Sequence, residues 1–488
     1  MNLDDTIVAI ATPPGRSGIG VVRLAGPEAL KIANHMLRRN RDLQPNRAMI
    51  CDLMVSDAIA SSSLPNPTEH SDGTATGQSR IDEVVVTYFA APHSYTTDDI
   101  VEISAHGSPV ILRHIVERAL AQGARLADAG EFTMRAFLNG RLDLTQAEAV
   151  RDLIDAQTLF QAKVAAQQLE GALSNRLKPI KQRLIDLIAL LEAGIDFAED
   201  DISIASDATI CDHIGEVTTP LKQLAATFTY GKLVHQGLTL AIVGRPNAGK
   251  SSLFNRLVES ERAIVTAQPG TTRDLVSETV AIGGIPVELV DTAGIRKAPD
   301  DAEAERLGIK KSIEALADAD LVLVVLDASQ AICQEDEDLL TQIEGRPAII
   351  VKNKSDLIGM YGDGQLAGPS RAESSGLLPA TANAAQQLST SARTGQGIPE
   401  LRDAILHYVS GNSSAPESGF LTNVRHQKLV TDALAGLEAA TTAVSARVPH
   451  EMLLLDLYAS LRALDEITGT TTTDDILNLI FGTFCIGK

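Results

Sequence analysis

Short apolar runs at the spacing of β-strands dominate the first part of the chain. The predicted strands are Ile7–Ile10, Gly20–Leu24, Glu83–Phe89 and Ile100–Ser104. Between them lie polar turns and a few stretches whose apolar residues recur at helical spacing, such as Val110–Ala121. Strands mixed with a few helices predict an α+β domain that ends near Asn139.

Helical spacing then fills two separate stretches, one before and one after the middle of the chain. The predicted helices are Gln146–Leu159, Gln161–Leu173 and Leu177–Ile195, followed much later by residues 421–447 and 450–467. The simplest packing joins both stretches into one helical bundle. The middle of the chain is then an inserted domain, which is feasible because the termini of such domains lie close together.

The middle of the chain, about Gly237–Tyr408, alternates strand-like apolar runs with helices. Its predicted strands are Leu238–Val243, Val287–Val290 and Ala348–Val351. Two segments rich in small and polar residues interrupt the pattern, Ser61–Ser79 in the first domain and Met360–Asn383 in the middle one. Their composition predicts flexible surface insertions.

A glycine-rich segment follows the first strand of the middle domain. Gly244–Ser251, GRPNAGKS, fits the phosphate-cradling pattern G-x-x-x-x-G-K-[ST]. Backbone N–H groups that run into a helix N-terminus supply the concave anion site that a phosphate needs. Lys250 is expected to reach the β- and γ-phosphates, and the Ser251 hydroxyl to bind Mg²⁺. By itself the pattern also fits an ordinary glycine loop in an αβ unit.

Three further motifs follow at strand ends in the order of a guanine nucleotide site. Asp291–Gly294, DTAG, offers a carboxylate to Mg²⁺ through water and a backbone N–H to the γ-phosphate. Asn353–Asp356, NKSD, ends in an aspartate that can accept two hydrogen bonds from guanine but not from adenine. Ser391–Arg393, SAR, is expected to complete base recognition. The four motifs together predict a GTPase.

The segments between these motifs are the expected switches. Thr272 in Gly270–Asp274, GTTRD, is expected to complete the Mg²⁺ shell when γ-phosphate is present. Ile295 stands where small GTPases of the Ras type carry a glutamine that orients the attacking water, and isoleucine cannot do so. Either the domain is a slow binary switch or another group acts on the water. The groups near enough in sequence are Arg296, Glu303 and Glu305.

Charge and composition limit the partners. The 488 residues carry 42 Lys and Arg against 63 Asp and Glu, a net charge of −21, and no segment is basic. Tryptophan is absent and aromatic residues make up 3%. This composition argues against an extended polybasic or base-stacking surface. If the target is an RNA, a partner protein would therefore make much of the contact with it. Two alternatives remain: a ribosome-assembly GTPase of the Era or Der kind, which predicts a basic domain, and a non-catalytic scaffold that senses GTP.

The cysteines and the apolar runs indicate the compartment. Cys51, Cys211, Cys333 and Cys485 have no metal-ligand or disulfide spacing, which is typical of reduced thiols in a cytoplasm. The N-terminus lacks a signal-peptide pattern, and no apolar run approaches a membrane span. We expect a soluble cytoplasmic protein.

Separated blocks of sequence resemble one family. The chain is similar to the tRNA-modification GTPase MnmE, or TrmE, family across its whole length apart from the two insertions. The blocks that carry the resemblance are Asp5–Ala9, Thr12–Arg16, Gly130–Thr133, Arg135–Asn139 and Phe484–Lys488.

The resemblance implies a multidomain α/β architecture. Residues 1–140 form an α+β domain of the glycine-cleavage T-protein type that binds tetrahydrofolate and dimerises. Residues 141–236 and 411–488, which include the terminal CIGK tail, form a discontinuous helical domain. Residues 237–410 form an inserted P-loop, Ras-like GTPase domain.

The resemblance also implies the activity. Members of the family work with the FAD-containing partner MnmG, also called GidA, in a heterotetramer or larger assembly. They install an aminomethyl or carboxymethylaminomethyl group at C5 of the wobble uridine, U34, of certain tRNAs. The one-carbon unit comes through 5-formyltetrahydrofolate or a related folate. K⁺ stimulates GTP hydrolysis as the G domains of two subunits meet.

The resemblance assigns roles to particular residues. Glu305 matches the catalytic glutamate, three residues before Gly308–Ile309, and would orient or deprotonate water. Cys485 is a candidate thiol that is catalytic or redox-sensitive. The K⁺ ligands map to Asn247, Thr266, Gln268 and Thr271, the Mg²⁺ ligands to Ser251 and Thr272, and the folate contacts to Arg23, Glu102, Arg141 and Lys488. The GTP-binding set is Asn247, Ala248, Gly249, Lys250, Ser251, Ser252, Thr266, Ala267, Gln268, Pro269, Gly270, Thr271, Thr272, Asp291, Thr292, Ala293, Gly294, Asn353, Lys354, Asp356, Ser391, Ala392 and Arg393.

Overall fold

A computed structural model of the chain describes residues 3–55, 80–196, 206–260, 276–291, 319–358, 386–410, 418–470, 477 and 480–487. The two predicted insertions, Ser61–Ser79 and Met360–Asn383, lie outside the described residues. Contacts divide the chain into two compact units, residues 1–151 with 465–488 and residues 152–464. The domain boundaries inferred above, after residues 140, 236 and 410, stay predictions.

The first unit is built on a seven-stranded sheet in the order β3-β4-β5-β6-β2-β1-β7. Neighbouring strands are antiparallel except for the parallel pair β1 and β7. The strands are β1 Ile7–Ile10, β2 Ser17–Ala25, β3 Leu37–Arg38, β4 Ala48–Met54, β5 Arg80–Phe89, β6 Ile100–Gly107 and β7 Arg125–Leu126. The helices are α1 Ala29–Met36, α2 Pro109–Ala121, α3 Glu131–Leu138 and the start of α4 Leu144–Asp155. The predicted α+β character is confirmed.

Alternation along the strands gives this sheet two apolar faces. On β1, Val8 points into the core with Ile32 of α1 and Ile115 of α2. Its neighbour Ile7 points the other way, into a smaller core with Phe132 of α3. Successive strand residues face opposite sides, so one short apolar run serves both layers. Helices therefore lie against both faces of the sheet.

Buried charges fix the start of α3 against the chain's N-terminal segment. The Glu131 and Arg135 side chains have no exposed surface, and they form an ion pair of 3.0 Å. Arg125 binds Glu131 at 2.7 Å, and Asp5 at 2.7 Å with its Nε. Burial raises the pKa of Glu131, but hydrogen bonds from Arg125 and from the Asp128 N–H more than offset this, so its pKa lies below 4.5.

We expect Glu131→Gln to lower the free energy of unfolding by about 3 kcal/mol, since it removes the buried carboxylate that Arg125 and the fully buried Arg135 share. Because the folded pKa is depressed, the contribution of Glu131 is complete above pH 4.5 and is lost as pH falls below that value. Urea titrations of both proteins at pH 7 and at pH 4 measure the difference. Asp128→Asn is the control, because the Asp128 side chain is 74% exposed. An equal loss in both variants would contradict the prediction.

The second unit contains a six-stranded sheet in the order β13-β12-β11-β8-β10-β9. All neighbours are parallel except β9 and β10, which form an antiparallel hairpin. The strands are β8 Leu238–Val243, β9 Val276–Ile282, β10 Ile285–Asp291, β11 Leu321–Asp327, β12 Ala348–Asn353 and β13 Gln386–Ser389. The helices that complete its α/β part are α9 Lys250–Ser260, α10 Gln334–Gln342 and α11 Ile398–Ser410. The predicted α/β middle domain is confirmed.

Helices that precede this α/β part in the sequence pack against helices that follow it. Those before it are α5 Leu159–Leu169, α6 Ala172–Asp196, α7 Asp207–Ala226 and α8 Phe228–Gln236, and those after it are α12 Val424–Ser445 and α13 His450–Thr468. α7 packs against α6 and α12, and Lys222 of α7 pairs with Glu438 of α12 at 3.1 Å. The Ser460 hydroxyl of α13 donates to the Ala433 carbonyl of α12 at 3.0 Å. The predicted joining of the two helical stretches is therefore confirmed.

Two predicted helices have wrong boundaries. The sequence pattern suggested a continuous helix Gln146–Leu159, whereas α4 ends at Asp155 and α5 begins at Leu159. Thr158 takes an extended conformation and forms a capping box with Gln161, which starts a new helix. The predicted helix Gln161–Leu173 likewise crosses a break, because Gly171 has φ 87° between α5 and α6.

Candidate functional site

The phosphate-cradling loop begins where β8 ends. β8 is almost wholly buried between β10 and β11, so Gly244 leaves the sheet at its centre. Gly244 has φ 152°, and a Cβ there would lie 2.3 Å from the Val325 carbonyl oxygen. Gly249 has φ 93°, and its Cβ would lie 2.3 Å from Asn353 Nδ2. Side chains are therefore excluded at both glycines, so only glycine lets the loop lie this close to Val325 and Asn353.

The Lys250 side chain is hydrogen-bonded to the backbone of this loop. Its ammonium group donates to the carbonyl oxygens of Gly244 at 2.8 Å and Arg245 at 2.9 Å, and the residue is buried. Ser251 and Ser252 follow in the exposed first turn of α9, where a hydroxyl can reach a metal ion. Asn247 has φ 65°, so it turns the backbone just before the helix. The helix N-terminus adds a favourable field for phosphate.

Asn353 joins the phosphate loop to the base-binding loops. It is buried at the end of β12, and its Nδ2 donates to the Ala248 carbonyl at 3.1 Å. Its Oδ1 accepts from the Ala392 N–H at 3.0 Å and from the Thr390 hydroxyl at 3.4 Å. One amide side chain therefore binds two segments that are far apart in sequence, the phosphate loop and the loop of Thr390 and Ala392. Three of the four predicted motifs meet at this residue.

Asp356 is held in a turn that follows Asn353. The Ser391 hydroxyl donates to Asp356 Oδ1 at 2.7 Å. Two residues later, the Arg393 carbonyl accepts a hydrogen bond from Arg256 of α9 at 3.1 Å. Asp356 and the Ser391–Arg393 loop are thereby placed side by side. A carboxylate in this position can accept the paired N–H donors of guanine.

The remaining predicted nucleotide residues are only partly described. Asp291 ends β10 and lies beside Ile242 of β8 in the parallel register. The other members lie outside the described residues, so their roles stay predictions: Thr266, Ala267, Gln268, Pro269, Gly270, Thr271, Thr272, Thr292, Ala293, Gly294 and Glu305.

Sequence reasoning missed one charged residue at this site. Asp327 ends β11, and its Oδ2 accepts a hydrogen bond from Lys354 Nζ at 2.7 Å. Burial raises the pKa of Asp327, but hydrogen bonds from Lys354 and Ser329 outweigh it, so its pKa lies below its usual value. A polar residue at the end of an apolar strand was the available signal, the same one that identified Asp291 and Asn353.

A second cluster lies in the first unit and contains the residues implied for folate. Arg23 of β2 pairs with Glu102 of β6, directly opposite in register, at 2.8 Å. The Arg23 Nη1 also donates to the Gly487 carbonyl at 3.3 Å, next to Lys488, which lies outside the described residues. The chain's end is therefore held beside Arg23. The isolated β-bridge between Ala129 and Ile486 fixes the same segment.

Tyr95 is the centre of this cluster and was not predicted. The guanidinium carbons of Arg23 and Arg141 lie 5.9 Å and 5.8 Å from its ring centroid. Its hydroxyl lies 3.0 Å from the Thr133 hydroxyl. Burial raises the pKa of Tyr95, so it stays neutral near pH 7. Two cations beside one aromatic ring can receive a flat ligand that carries carboxylates.

Backbone strain marks the loop that carries Tyr95. Thr97 has φ 69°, a left-handed conformation that is costly for a β-branched residue. We expect Thr97→Gly to raise the free energy of unfolding by about 1 kcal/mol, measured by urea titration. Thr97→Ala keeps a Cβ in the same backbone conformation and should raise the free energy of unfolding by less than Thr97→Gly does. A Thr97→Gly variant less stable than the parent would contradict this account.

The four cysteines are divided between the two units. Cys485 is exposed, Cys51 is buried, Cys211 and Cys333 are partly exposed, and all four are free thiols. Among the described residues, no group of three or more His, Cys, Asp or Glu side chains could hold a metal ion. Of the helices in the described ranges, none combines the length and apolar character needed to cross a bilayer.

Two family models match almost the whole chain. The model described as GTP-binding protein TrmE N-terminus matches residues 6–141, and the model described as MnmE helical domain matches residues 144–485. These matches fall on the first unit's sheet and on the helices that flank the nucleotide site.

Full-length relatives agree with the family models. The tRNA modification GTPase MnmE of Koribacter versatilis (strain Ellin345) is 60% identical over 492 residues, covering 100% of both chains. The proteins of the same name from Aquifex aeolicus (strain VF5) and Acetivibrio thermocellus are 41% and 36% identical, each over at least 99% of this chain and 100% of the relative. A ribosome-assembly GTPase, the alternative left open above, does not account for matches from end to end. The chain belongs to the tRNA modification GTPase MnmE family.

Proposed function

We propose that the chain hydrolyses GTP with stimulation by K⁺ and uses this cycle, together with an FAD-dependent partner of the MnmG type, to modify C5 of the wobble uridine, U34, of certain tRNAs. The product is an aminomethyl or carboxymethylaminomethyl uridine, and its one-carbon unit comes from 5-formyltetrahydrofolate or a related folate. Because tRNA is the substrate, we place the reaction in the cytoplasm.

The junction made by Asn353 carries the nucleotide half of this proposal. It holds Ala248 of the phosphate loop and Ala392 of the base loop at hydrogen-bond distance at the same time. The distance between phosphate and base recognition is thereby fixed before a nucleotide arrives. Such preorganisation lowers the entropic cost of binding.

The metal ions fit the residues at the helix N-terminus. Ser251, in the exposed first turn of α9, would hold Mg²⁺ through its hydroxyl with Thr272. Asn247 would offer its amide oxygen to K⁺, together with Thr266, Gln268 and Thr271. A monovalent cation there supplies the positive charge that an arginine finger supplies in other GTPases. Glu305 would orient or deprotonate the attacking water.

The cluster around Tyr95 carries the folate half of the proposal. Arg23, paired with Glu102, and Arg141 share this aromatic neighbour, and the Gly487 carbonyl accepts a hydrogen bond from Arg23. Lys488, which follows Gly487 in the sequence, is proposed to join them. Glu102 can accept hydrogen bonds from a pteridine, and the cations can bind the glutamate carboxylates of a folate. A T-protein-like fold of the first unit is part of the same proposal.

A labelled one-carbon unit tests the reaction. The protein, its FAD-containing partner, GTP, KCl and a tRNA with U34 are mixed with folate that carries ¹⁴C in its one-carbon group. We expect label in the tRNA, and less label with Arg23→Gln. Arg113→Gln, an exposed arginine on α2, is the matched control and should label normally. Label that does not depend on U34, or equal labelling by both variants, would contradict the proposal.

We also propose that the first unit forms the homodimer through the part of its sheet where β4 and β5 carry exposed apolar side chains. Ile50 of β4 lies directly opposite Val85 of β5, and their exposed fractions are 67% and 42%. Ile19 in β2 is 65% exposed. Exposed apolar side chains on one sheet face are typical of a protein interface.

The dimer is tested by charge substitution. We expect Ile50→Asp with Val85→Asp to raise the dimer Kd at least about tenfold, since it would bury two unpaired charges from each subunit. Analytical ultracentrifugation measures the change. Val110→Asp is the control, because Val110 is 76% exposed at the start of α2. A double variant that remains as dimeric as Val110→Asp would contradict this interface.

A further inference from the structure

The loop that follows β11 contacts two of the nucleotide-binding motifs. It begins at Asp327, whose side chain is 2% exposed, and ends where α10 starts at Gln334. Asp327 Oδ2 accepts from Lys354 Nζ of the NKSD motif at 2.7 Å. Asp327 Oδ1 accepts from the Ser329 N–H at 3.0 Å and from its hydroxyl at 2.6 Å. The carboxylate is thus held by its own loop on one side and holds Lys354 on the other.

The same loop reaches the phosphate-cradling motif. Gln330 Nε2 lies 3.4 Å from Asp327 Oδ2, and Gln330 Oε1 accepts from Arg245 Nη2 at 2.9 Å. Arg245 is the second residue of the GRPNAGKS loop. Asp336, buried in the first turn of α10, has its Oδ1 3.7 Å from Arg245 Nε. A continuous polar chain therefore runs from Lys354 to the phosphate loop.

Lys354 needs such an anchor. It has φ 65°, so the backbone turns sharply at this residue, and its long side chain would otherwise sample many rotamers. A charge-assisted hydrogen bond to a fixed carboxylate selects one of them. The ion pair is largely sheltered, because the side chains of Lys354 and Asp327 are 30% and 2% exposed. The low pKa of Asp327 agrees with a carboxylate that is ionised at neutral pH.

We propose that Asp327 is a positioning residue for guanine-nucleotide binding: it fixes Lys354 beside the base and, through Gln330, ties the base-binding loop to Arg245 of the phosphate loop. Asp327 acts through Lys354 and does not itself touch the nucleotide. The consequence is that its removal weakens nucleotide binding only while Lys354 is present. A purely structural ion pair would instead lower the melting temperature of the nucleotide-free protein and leave the Kd for GDP near the parent value.

A double-mutant cycle on the full chain separates the two roles. The Kd for fluorescent GDP is measured for Asp327→Asn, Lys354→Met and the double variant, with the melting temperature of each nucleotide-free protein. We expect Asp327→Asn to raise the Kd roughly tenfold in the parent and less than about twofold in the Lys354→Met background. Asp338→Asn, an exposed aspartate on α10, is the matched control and should stay within about twofold of the parent.

A milder variant covers the case in which Asp327→Asn does not fold. Ser329→Ala keeps the buried carboxylate and removes only the hydroxyl that orients it. It should raise the Kd about threefold in the parent and leave it unchanged with Lys354→Met. Equal losses in the two backgrounds, for either variant, would overturn the proposal, as would a parent-like Kd for folded Asp327→Asn.

Discussion

Replacing Glu305 by alanine is expected to reduce GTP turnover in KCl by roughly 10²–10⁴-fold, the usual contribution of a positioned general base or water-orienting group. The chain has Ile295 where a Ras-type GTPase has its glutamine, so a different group has to act on the water. A carboxylate does this either by accepting a proton or by orienting the water through hydrogen bonds. Phosphate release under single-turnover conditions, with the protein in excess over GTP and above the Kd, measures the effect.

Glu303→Ala is the matched control for Glu305, because it removes the same side chain two residues earlier. It should turn over at close to the parent rate. GDP affinity should be the same for both variants, since water orientation contributes only in the transition state. Unchanged turnover in Glu305→Ala, or an equal loss in Glu303→Ala, would contradict the assignment of Glu305.

Asp356→Asn is expected to weaken GDP binding roughly a thousandfold, because it removes two charge-assisted hydrogen bonds to guanine. Xanthine presents a carbonyl where guanine has its amino group, so the asparagine amide can donate to it and XDP binding should improve. The asparagine oxygen can still accept from Ser391, which holds the present carboxylate at 2.7 Å. Competition of GDP, XDP and ADP against fluorescent GDP measures the change.

The control for this experiment is Asp338→Asn, an exposed aspartate on α10. It should keep the parent order of affinities, with GDP first. A parent that binds ADP as tightly as GDP, or an Asp356→Asn variant that keeps its preference for GDP over XDP, would show that Asp356 does not read the base.

The strands and the main nucleotide loops could be predicted because their signals are local. An apolar run that ends in a polar residue marks a buried parallel strand and the functional end of the sheet, which identified Asp291 and Asn353. The link from Asn353 to Ala248 and Ala392 was not predictable. It depends on which strands become neighbours, and sequence spacing does not contain that information.

The cluster around Tyr95 could not be predicted from the sequence for the same reason. Arg23 and Glu102 become partners because β2 and β6 pair in one particular register. Tyr95 looks like an ordinary loop aromatic in the sequence, and only the fold brings Arg141 to its ring. The break before α5 was different: Thr158 and Gln161 have the spacing of a capping box, so attention to caps would have found it.

The GTP turnover of this chain is expected to depend on which alkali ion is present. Phosphate release is measured with the full chain at equal ionic strength in KCl and in NaCl. Turnover should be several-fold or more faster in KCl, and Asn247→Ala should abolish most of the difference, because Asn247, at the turn before α9, is a proposed oxygen ligand of K⁺. Equal slow rates in both salts would contradict this prediction and would favour a scaffold that only senses GTP.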